Sequence, residues 1–270
     1  MTNEVSIITP VTALHARYLP ETWQSLVRQE IPHGWKIRWH VQEDGSASEV
    51  KDFVETLGAD VVHYAASGSV GGVAEARNLA LARCDGEVVM MLDADDRLVA
   101  GAIVRVIESL ESGNMWCGFG ALDDRDGEIF TRDGRYSLRL AADGSPYVSD
   151  GVSMSEGASS AVATAREFDH GAWVGPVRRG TLRGCWSEFG VLPFHPATFA
   201  TFTRWVWEAG GWPGLARDED TALILAISDK HDGVVSAEPN ILYRRHDQQT
   251  SRRVAPNNER IRFIERLARR

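Results

Sequence analysis

Residues 88–98 read VVMMLDADDRL, an apolar run that passes without a break into Asp93, Asp95 and Asp96. A short continuous apolar run closed by polar residues is the pattern of a strand buried on both faces, the kind found in parallel sheets. Three carboxylates within four residues repel one another, and a divalent cation or the hydroxyl groups of a ligand offset that repulsion. A hard cation held there can bridge the oxygens of a diphosphate. Acidic turns after strands also occur as plain solvated turns. Placement at the end of a central buried strand shifts the reading toward a ligand site.

The sequence upstream alternates strand and helix. Residues 5–9 read as a strand, and 20–29 as a helix with Pro20 in its first turn. Residues 36–42 form a second strand, after which Ser46 or Ser48 starts a helix with Val50, Phe53, Val54 and Leu57 at helical spacing. Residues 61–65 are a third strand, the glycines of 68–72 lead into a helix over 73–83, and 87–92 are the fourth strand. Repeated βα units imply right-handed crossovers and a mostly parallel central sheet covered by flanking helices, with ligands at the carboxyl ends of its strands. Polar residues stand at three of those ends: Thr9, the Glu43-Asp44 pair and the run from Asp93.

Downstream the pattern changes. A helix over 99–110 precedes a strand at 116–122 and a hairpin through Asp126-Gly127 to Thr131. Residues 142–160, rich in Gly, Ser and Asp, read as a mobile loop. Five tryptophans (173, 186, 205, 207 and 212) lie close together. Core packing accounts for most of them, and one or two exposed rings can stack on a sugar. A helix over 219–228 and strands at 234–237 and 241–244 follow.

Three further segments carry chemistry. GLARDEDTALIL (214–225) sets Asp218, Glu219 and Asp220 where a loop enters a helix. Acids in a first helical turn suit the helix dipole, and a carboxylate held there also makes a general base. ILYRRHDQQTSRR (241–253) surrounds His246 with Arg244, Arg245, Arg252 and Arg253. The imidazole is either structural or completes the coordination of a metal held by the distant aspartates, and the arginines suit phosphate oxygens. ASGSVGGVAEARN (66–78) is glycine-rich but lacks both GxGxxG and GxxxxGK[ST], which argues against nicotinamide or flavin binding. Its glycines let the backbone pass close to a ligand, with Arg77 reaching inward.

Composition sets the bounds. The chain has 270 residues, 43% hydrophobic and 25% charged, with a formal net charge of −9. These values fit a folded globular protein and exclude disordered, collagen-like and disulfide-scaffold classes. The acidic body disfavours nucleic acid. The end from Arg244 holds nine arginines against three acids, and it finishes in a basic helix or tail over 254–270; this end can touch phosphate, an acidic membrane surface or only solvent. Three widely spaced cysteines give neither a zinc site nor a disulfide framework. MTNEVSIITP lacks a signal-peptide pattern, so the expected location is cytoplasmic.

Read in order, VSIITPVTALHARYLPETWQSL (5–26), WHVQEDGSAS (39–48), GGVAEARNLAL (71–81), LDADD (92–96), FHPATF (194–199), GGW (210–212), RDED (217–220) and YRRHDQQTS (243–251) resemble family 2 glycosyltransferases. That resemblance implies a GT-A type, Rossmann-like α/β fold with a smaller acceptor-side subdomain. It forms a single domain over 1–253, with a nucleotide-sugar-binding half at 1–112 and an acceptor half at 113–253. It also implies an inverting transfer from a nucleoside-diphosphate sugar, by default a UDP-sugar, to an acceptor hydroxyl. The acceptor would be a small molecule, a glycan precursor or a protein side chain. Carried over by position, Thr9, Pro10 and Val11 would line the base pocket, and Asp44 would accept from the nucleobase. Arg77 would neighbour base or diphosphate, Asp93 and Ala94 the donor. Asp95 and His246 would hold Mn2+ or Mg2+, and Asp220 would be the general base. Glu43, Asp96, Glu219, Arg245 and Arg252 are secondary candidates. Val11-Thr12 replaces the family's usual aromatic-Asn, and Glu43-Asp44 its more usual pair of aspartates. A sugar nucleotidyltransferase would need a Gly- and Lys-bearing loop after the first strand, which TPVTALHARYLP (9–20) lacks. A non-catalytic nucleotide-sugar-binding protein would have lost carboxylates that are present here.

Overall fold

The computed structural model describes residues 3–58, 60–125, 128–131, 137–140, 146–148, 174–247, 262–264 and 266. Strand β1 (Asn3–Val11) is buried along nearly its whole length, as its unbroken apolar character requires. Helix α1 (Leu19–Val27) carries its proline in the first turn. There follow β2 (Trp35–Glu43), α2 (Ser48–Glu55), β3 (Val62–Ala66), α3 (Val73–Leu81) and β4 (Val88–Met91), the last with every residue buried.

These four strands are ordered β3-β2-β1-β4, and each adjacent pair is parallel, as the sequence predicts for this half. Side chains alternate between two cores. Val5, Ile7, Val88 and Met90 pack on one side with Ile103, Val106 and Ile107 of α4 (Ala102–Glu111). Ile8, Val89 and Met91 pack on the other with Ala80, Leu81 and a helix from the second half of the chain. Burial on both faces accounts for the apolar density of β1 and β4.

Beyond β4 the pairing becomes mixed. Short β5 (Arg97–Leu98) precedes α4, and β6 (Trp116–Arg125) begins a run of antiparallel neighbours: β7 (Glu128–Thr131), β8 (Ser137–Leu140) and β9 (Pro146–Val148). Residues 146–148 therefore correct part of the expected loop over 142–160: they pair as a strand with β8, and the rest of that loop lies outside the described residues. Strand β10 (Gly175–Val177) and helix α5 (Thr181–Phe189) lead to β11 (Ala200–Phe202), which sits antiparallel between β4 and β6. Helices α6 (Thr203–Glu208) and α7 (Glu219–Ser228) follow. The two expected late strands are one, β12 (Gly233–Arg244), whose pairing with β6 is parallel and irregular on either side of Pro239. Proline lacks the N–H a regular ladder needs.

Since β11 opposes both β4 and β6, those two run the same way, and β12 runs with β6. The carboxyl ends of β1, β2, β4, β6 and β12 thus open on one edge. In the basic C-terminal stretch, residues 262–264 are helical and Ile264 is buried within the second core, so this part of the tail docks on the body. No helix among the described residues is long and apolar enough to cross a membrane.

Candidate functional site

The turn Asp93–Asp96 at the end of β4 is clamped from two sides. From α1, the Thr22 hydroxyl faces the carbonyls of Ala94 (2.8 Å) and Asp96 (3.0 Å). From the end of β12, Arg244 donates its backbone N–H to Asp96 Oδ1 and its Nε–H to the Asp95 carbonyl, both at 3.0 Å. Ala94 is buried, and its contribution is this carbonyl anchor. Asp96 is fully buried, and burial together with Asp95 and Asp93 holds its carboxyl well above the usual range. It braces the turn from beneath, through the Arg244 N–H.

Asp93 and Asp95 point to different partners. Asp93 Oδ1 accepts from Arg77 Nη2 at 2.8 Å, and the other arm of Arg77 pairs with Glu219. Arg77 is only 2% exposed. The helix dipole and spacing signals on 73–83 and 219–228 therefore meet in space: α3 supplies the guanidinium, and α7 supplies the acids of its first turn. Burial, with Asp220 close by, pushes Glu219 up to about 7 against the pull of Arg77. Burial also raises Asp220, opposed by Arg77 and by the Thr221 N–H that donates to Asp220 Oδ1 at 2.6 Å. Asp218, which precedes the helix, has φ of 63°, a left-handed conformation that Asp tolerates better than most residues. It turns the chain so that Glu219 faces inward while Asp220 stays partly open.

The second partner set lies around Asp95. His246 Nε2 stands 2.7 Å from Asp95 Oδ2, across 151 positions of sequence. His15 joins them: ligand atoms of His15, Asp95 and His246 all lie within 4.8 Å of one another. Sequence reasoning did not single out His15. The available signal was its place in the connection after β1, at the edge where the other candidates collect. Burial lowers the His15 pKa, against the pull of Asp95. Tyr18 packs near both imidazoles, with ring centroids 6.4 Å from His15 and 5.6 Å from His246.

Other expected site residues make contacts within the fold. The Thr9 hydroxyl is fully buried; it donates to the Leu92 carbonyl and accepts from Trp39 Nε1, both at 2.7 Å, so it lies under the site. Pro10 is partly exposed and Val11 is 2% exposed. Glu43 accepts from the Ala47 N–H and, at 2.5 Å, from the Tyr64 hydroxyl, which ties α2 and β3 to the end of β2. Asp44 Oδ1 accepts from the N–H of Gly71 at 2.6 Å, and both its oxygens face the N–H of Gly72. Gly72 has φ of 97°, a conformation open to glycine and strained for other residues, and this is how the glycine-rich loop folds onto Asp44. Arg245 Nε pairs with Asp123 Oδ2 at the end of β6 at 3.0 Å. Arg252 and Trp173 lie outside the described residues.

Asn78 explains why two of the quoted segments occur together. It donates to the Trp212 carbonyl at 2.8 Å and accepts from the Trp212 N–H at 2.9 Å, locking the GGW turn onto α3. Trp186 and Trp212 are core residues, whereas Trp207 is 54% exposed on α6, a helix that starts at the opposite edge of β4.

The sequence model of glycosyl transferase family 2 matches residues 6–151, more than half of the chain. Among solved structures, residues 1–349 of S. aureus TarS in complex with UDP-GlcNAc superpose with a TM-score of 0.65 at 15% identity, covering 99% of this chain and 65% of that one. A longer TarS chain gives 0.55 at 14% identity, covering 91% of this chain and 37% of its own. The mannosyltransferase PcManGT from Pyrobaculum calidifontis, in complex with GDP-Man and Mn2+, gives 0.54 at 17%, covering 99% of this chain and 69% of that one. The chain thus spans about two thirds or less of the TarS chains it resembles. At these identities the likeness is one of fold. No curated protein matches the chain.

Proposed function

Because the chain belongs to glycosyl transferase family 2, we propose that it moves a sugar from a nucleoside-diphosphate sugar to an acceptor hydroxyl by a single inverting displacement, with Asp220 as general base. The observation that carries this reading is the junction at Arg77. One buried guanidinium holds Asp93 of the donor-side turn and Glu219 beside Asp220, 142 positions away, at the carboxyl edge of the sheet. Donor and base residues are thereby fixed to one rigid group.

In the reaction, the acceptor oxygen attacks the anomeric carbon and gives its proton to Asp220. The new C–O bond forms as the bond to the diphosphate breaks, and the nucleoside diphosphate leaves with the electron pair. No covalent enzyme intermediate is needed. The Thr221 N–H occupies Asp220 Oδ1, which leaves Oδ2 for the proton. The raised Asp220 pKa makes it a stronger base than an ordinary aspartate. A divalent ion fits beside Asp95 and His246: their 2.7 Å separation is close to the roughly 3 Å edge of a coordination shell with bonds near 2.1 Å. When bound, that ion neutralises charge on the departing diphosphate. Asp44 and the end of β1 flank the base, where the Gly71 and Gly72 amides share the carboxylate with the nucleobase.

The TarS complex supports UDP as the donor nucleotide and the PcManGT complex supports GDP, with Mn2+ as the ion. We take a UDP-sugar as the first donor to test. The nucleotide half is 1–112 and the acceptor half 113–253, and the acceptor is a small molecule, a glycan precursor or a protein side chain. The test incubates the purified protein with Mn2+ and a panel of UDP- and GDP-sugars and measures release of nucleoside diphosphate, with and without acceptors. Slow donor hydrolysis, accelerated by one acceptor class, is expected. Nucleoside triphosphate formed from pyrophosphate would instead identify a nucleotidyltransferase, and tight donor binding without turnover a binding protein.

A further inference from the structure

We propose that His15 is a third protein ligand to the divalent cation, beside Asp95 and His246, and that this set binds a transition ion such as Mn2+ before any nucleotide arrives and in preference to Mg2+. The inference rests on the glycosyltransferase reading only for the presence of a cation. Its own basis is the cluster: three donor atoms within 4.8 Å, drawn from three separate segments of the chain.

Each segment is anchored to the fold, and the Asp95 turn is tied through Arg244 to the strand that carries His246. His15 lies in the short helix Ala13–Tyr18 directly after β1, and Thr12 Oγ1 stands 3.1 Å from its Nδ1. An outer hydrogen-bond partner of that kind helps orient the ring of a ligating imidazole. Asp95 sits in the turn clamped by Thr22 and Arg244, and His246 follows the end of β12. The two imidazole centroids are 5.7 Å apart, each next to Tyr18, so the rings are packed in place.

Donor chemistry sets the ion. Mg2+ favours oxygen ligands, keeps its waters and demands near-ideal octahedral geometry. Imidazole suits first-row transition ions, of which Mn2+ is the weakest binder and the one nearest Mg2+ in its liking for oxygen, and two imidazoles with one carboxylate are a set that such ions occupy in preference to Mg2+. Two protein ligands would leave most of the coordination shell to water and diphosphate, so that ion and nucleotide would bind together. A third ligand lets the protein hold the ion alone.

Mn2+ is titrated into nucleotide-free protein while the EPR signal of the free aquo-ion is followed, and directly bound nitrogens are counted by electron spin-echo modulation. Saturable one-to-one binding is expected, resistant to a roughly hundredfold excess of Mg2+. Wild type should show two bound nitrogens. His15→Ala should show one and bind Mn2+ at least about tenfold more weakly, with an unchanged thermal melt. A single nitrogen in wild type, equal affinity in His15→Ala, or ready displacement by Mg2+ would overturn the proposal. The nitrogen count in the wild-type protein decides the matter even if the variant folds poorly. Failure of every donor in the turnover assay would overturn the transferase reading without touching the nitrogen count.

Discussion

Around Arg77 and around Asp95, the same edge of the sheet gathers carboxylates in two clusters that manage their charge in opposite ways. In the first, Asp93 and Glu219 pair directly with a guanidinium that is 2% exposed, with Asp220 close by. In the second, Asp95 faces two imidazoles, and burial pulls His15 toward its neutral form. One cluster carries its own permanent cation, and the other is open to an external one. A buried acid with a fixed counter-charge serves geometry, whereas an acid among imidazole nitrogens is a set that an exchangeable ion can occupy.

The largest expected effect separates the two by chemistry. Asp220→Asn should bind donor as wild type does yet transfer sugar about 10²–10⁴-fold more slowly. Asp95→Asn should lose Mn2+-dependent donor binding itself. Measuring donor Kd and kcat for both variants checks this, and full transfer by Asp220→Asn would end the base assignment.

Stability should divide the clusters next. Arg77→Met leaves buried acids without their counter-charge and should cost about 3–5 kcal/mol. Asp95→Asn, which removes a carboxylate that is 18% exposed, should shift stability by no more than about 1 kcal/mol. Denaturant melts give both numbers, and adding Glu219→Gln to Arg77→Met should recover part of the loss.

A pH experiment reads the first cluster directly. Folding raises the Glu219 carboxyl from 4.5 to about 7, so the folded state holds a proton that the unfolded chain releases. This contribution is fully present below about pH 4.5 and is lost as pH rises through about 7. The wild-type stability curve should therefore fall across that window relative to Glu219→Gln, by at most about 3 kcal/mol. Parallel curves would show that Arg77 keeps Glu219 ionised throughout.

The smallest effect concerns what lies under both clusters. Thr9→Val strands the Leu92 carbonyl and the Trp39 indole N–H, for a loss of about 1–3 kcal/mol, and should leave donor KM unchanged. A raised KM at full stability would return Thr9 to the base pocket.

Much of this was legible in the chain. The apolar run before Asp93 marked a strand buried on both faces, and the βα alternation over the first 110 residues marked the parallel order, because both are local patterns of hydrophobicity. The pairing of Asp95 with His246 was reached through the resemblance. The short antiparallel strand β11 between β4 and β6 was not legible, since its three residues carry no period of their own. The sequence shows Glu43, Asp44 and Asp96 as carboxylates at strand ends but not their partners. In the structure Glu43 and Asp96 are bound to backbone or neighbouring hydroxyl groups inside the fold, and Asp44 holds the glycine loop.

The sequence by itself determined the strand and helix order of the first 110 residues, the acidic turn and the family, because each rests on residues adjacent in the chain. The tertiary structure alone decided that Arg77 joins Asp93 to Glu219, that Thr9 braces the floor, and that His15 stands beside Asp95 and His246. Those facts depend on which strand ends share an edge and which side chains are cut off from water. Both are set by the packing of segments far apart in the chain.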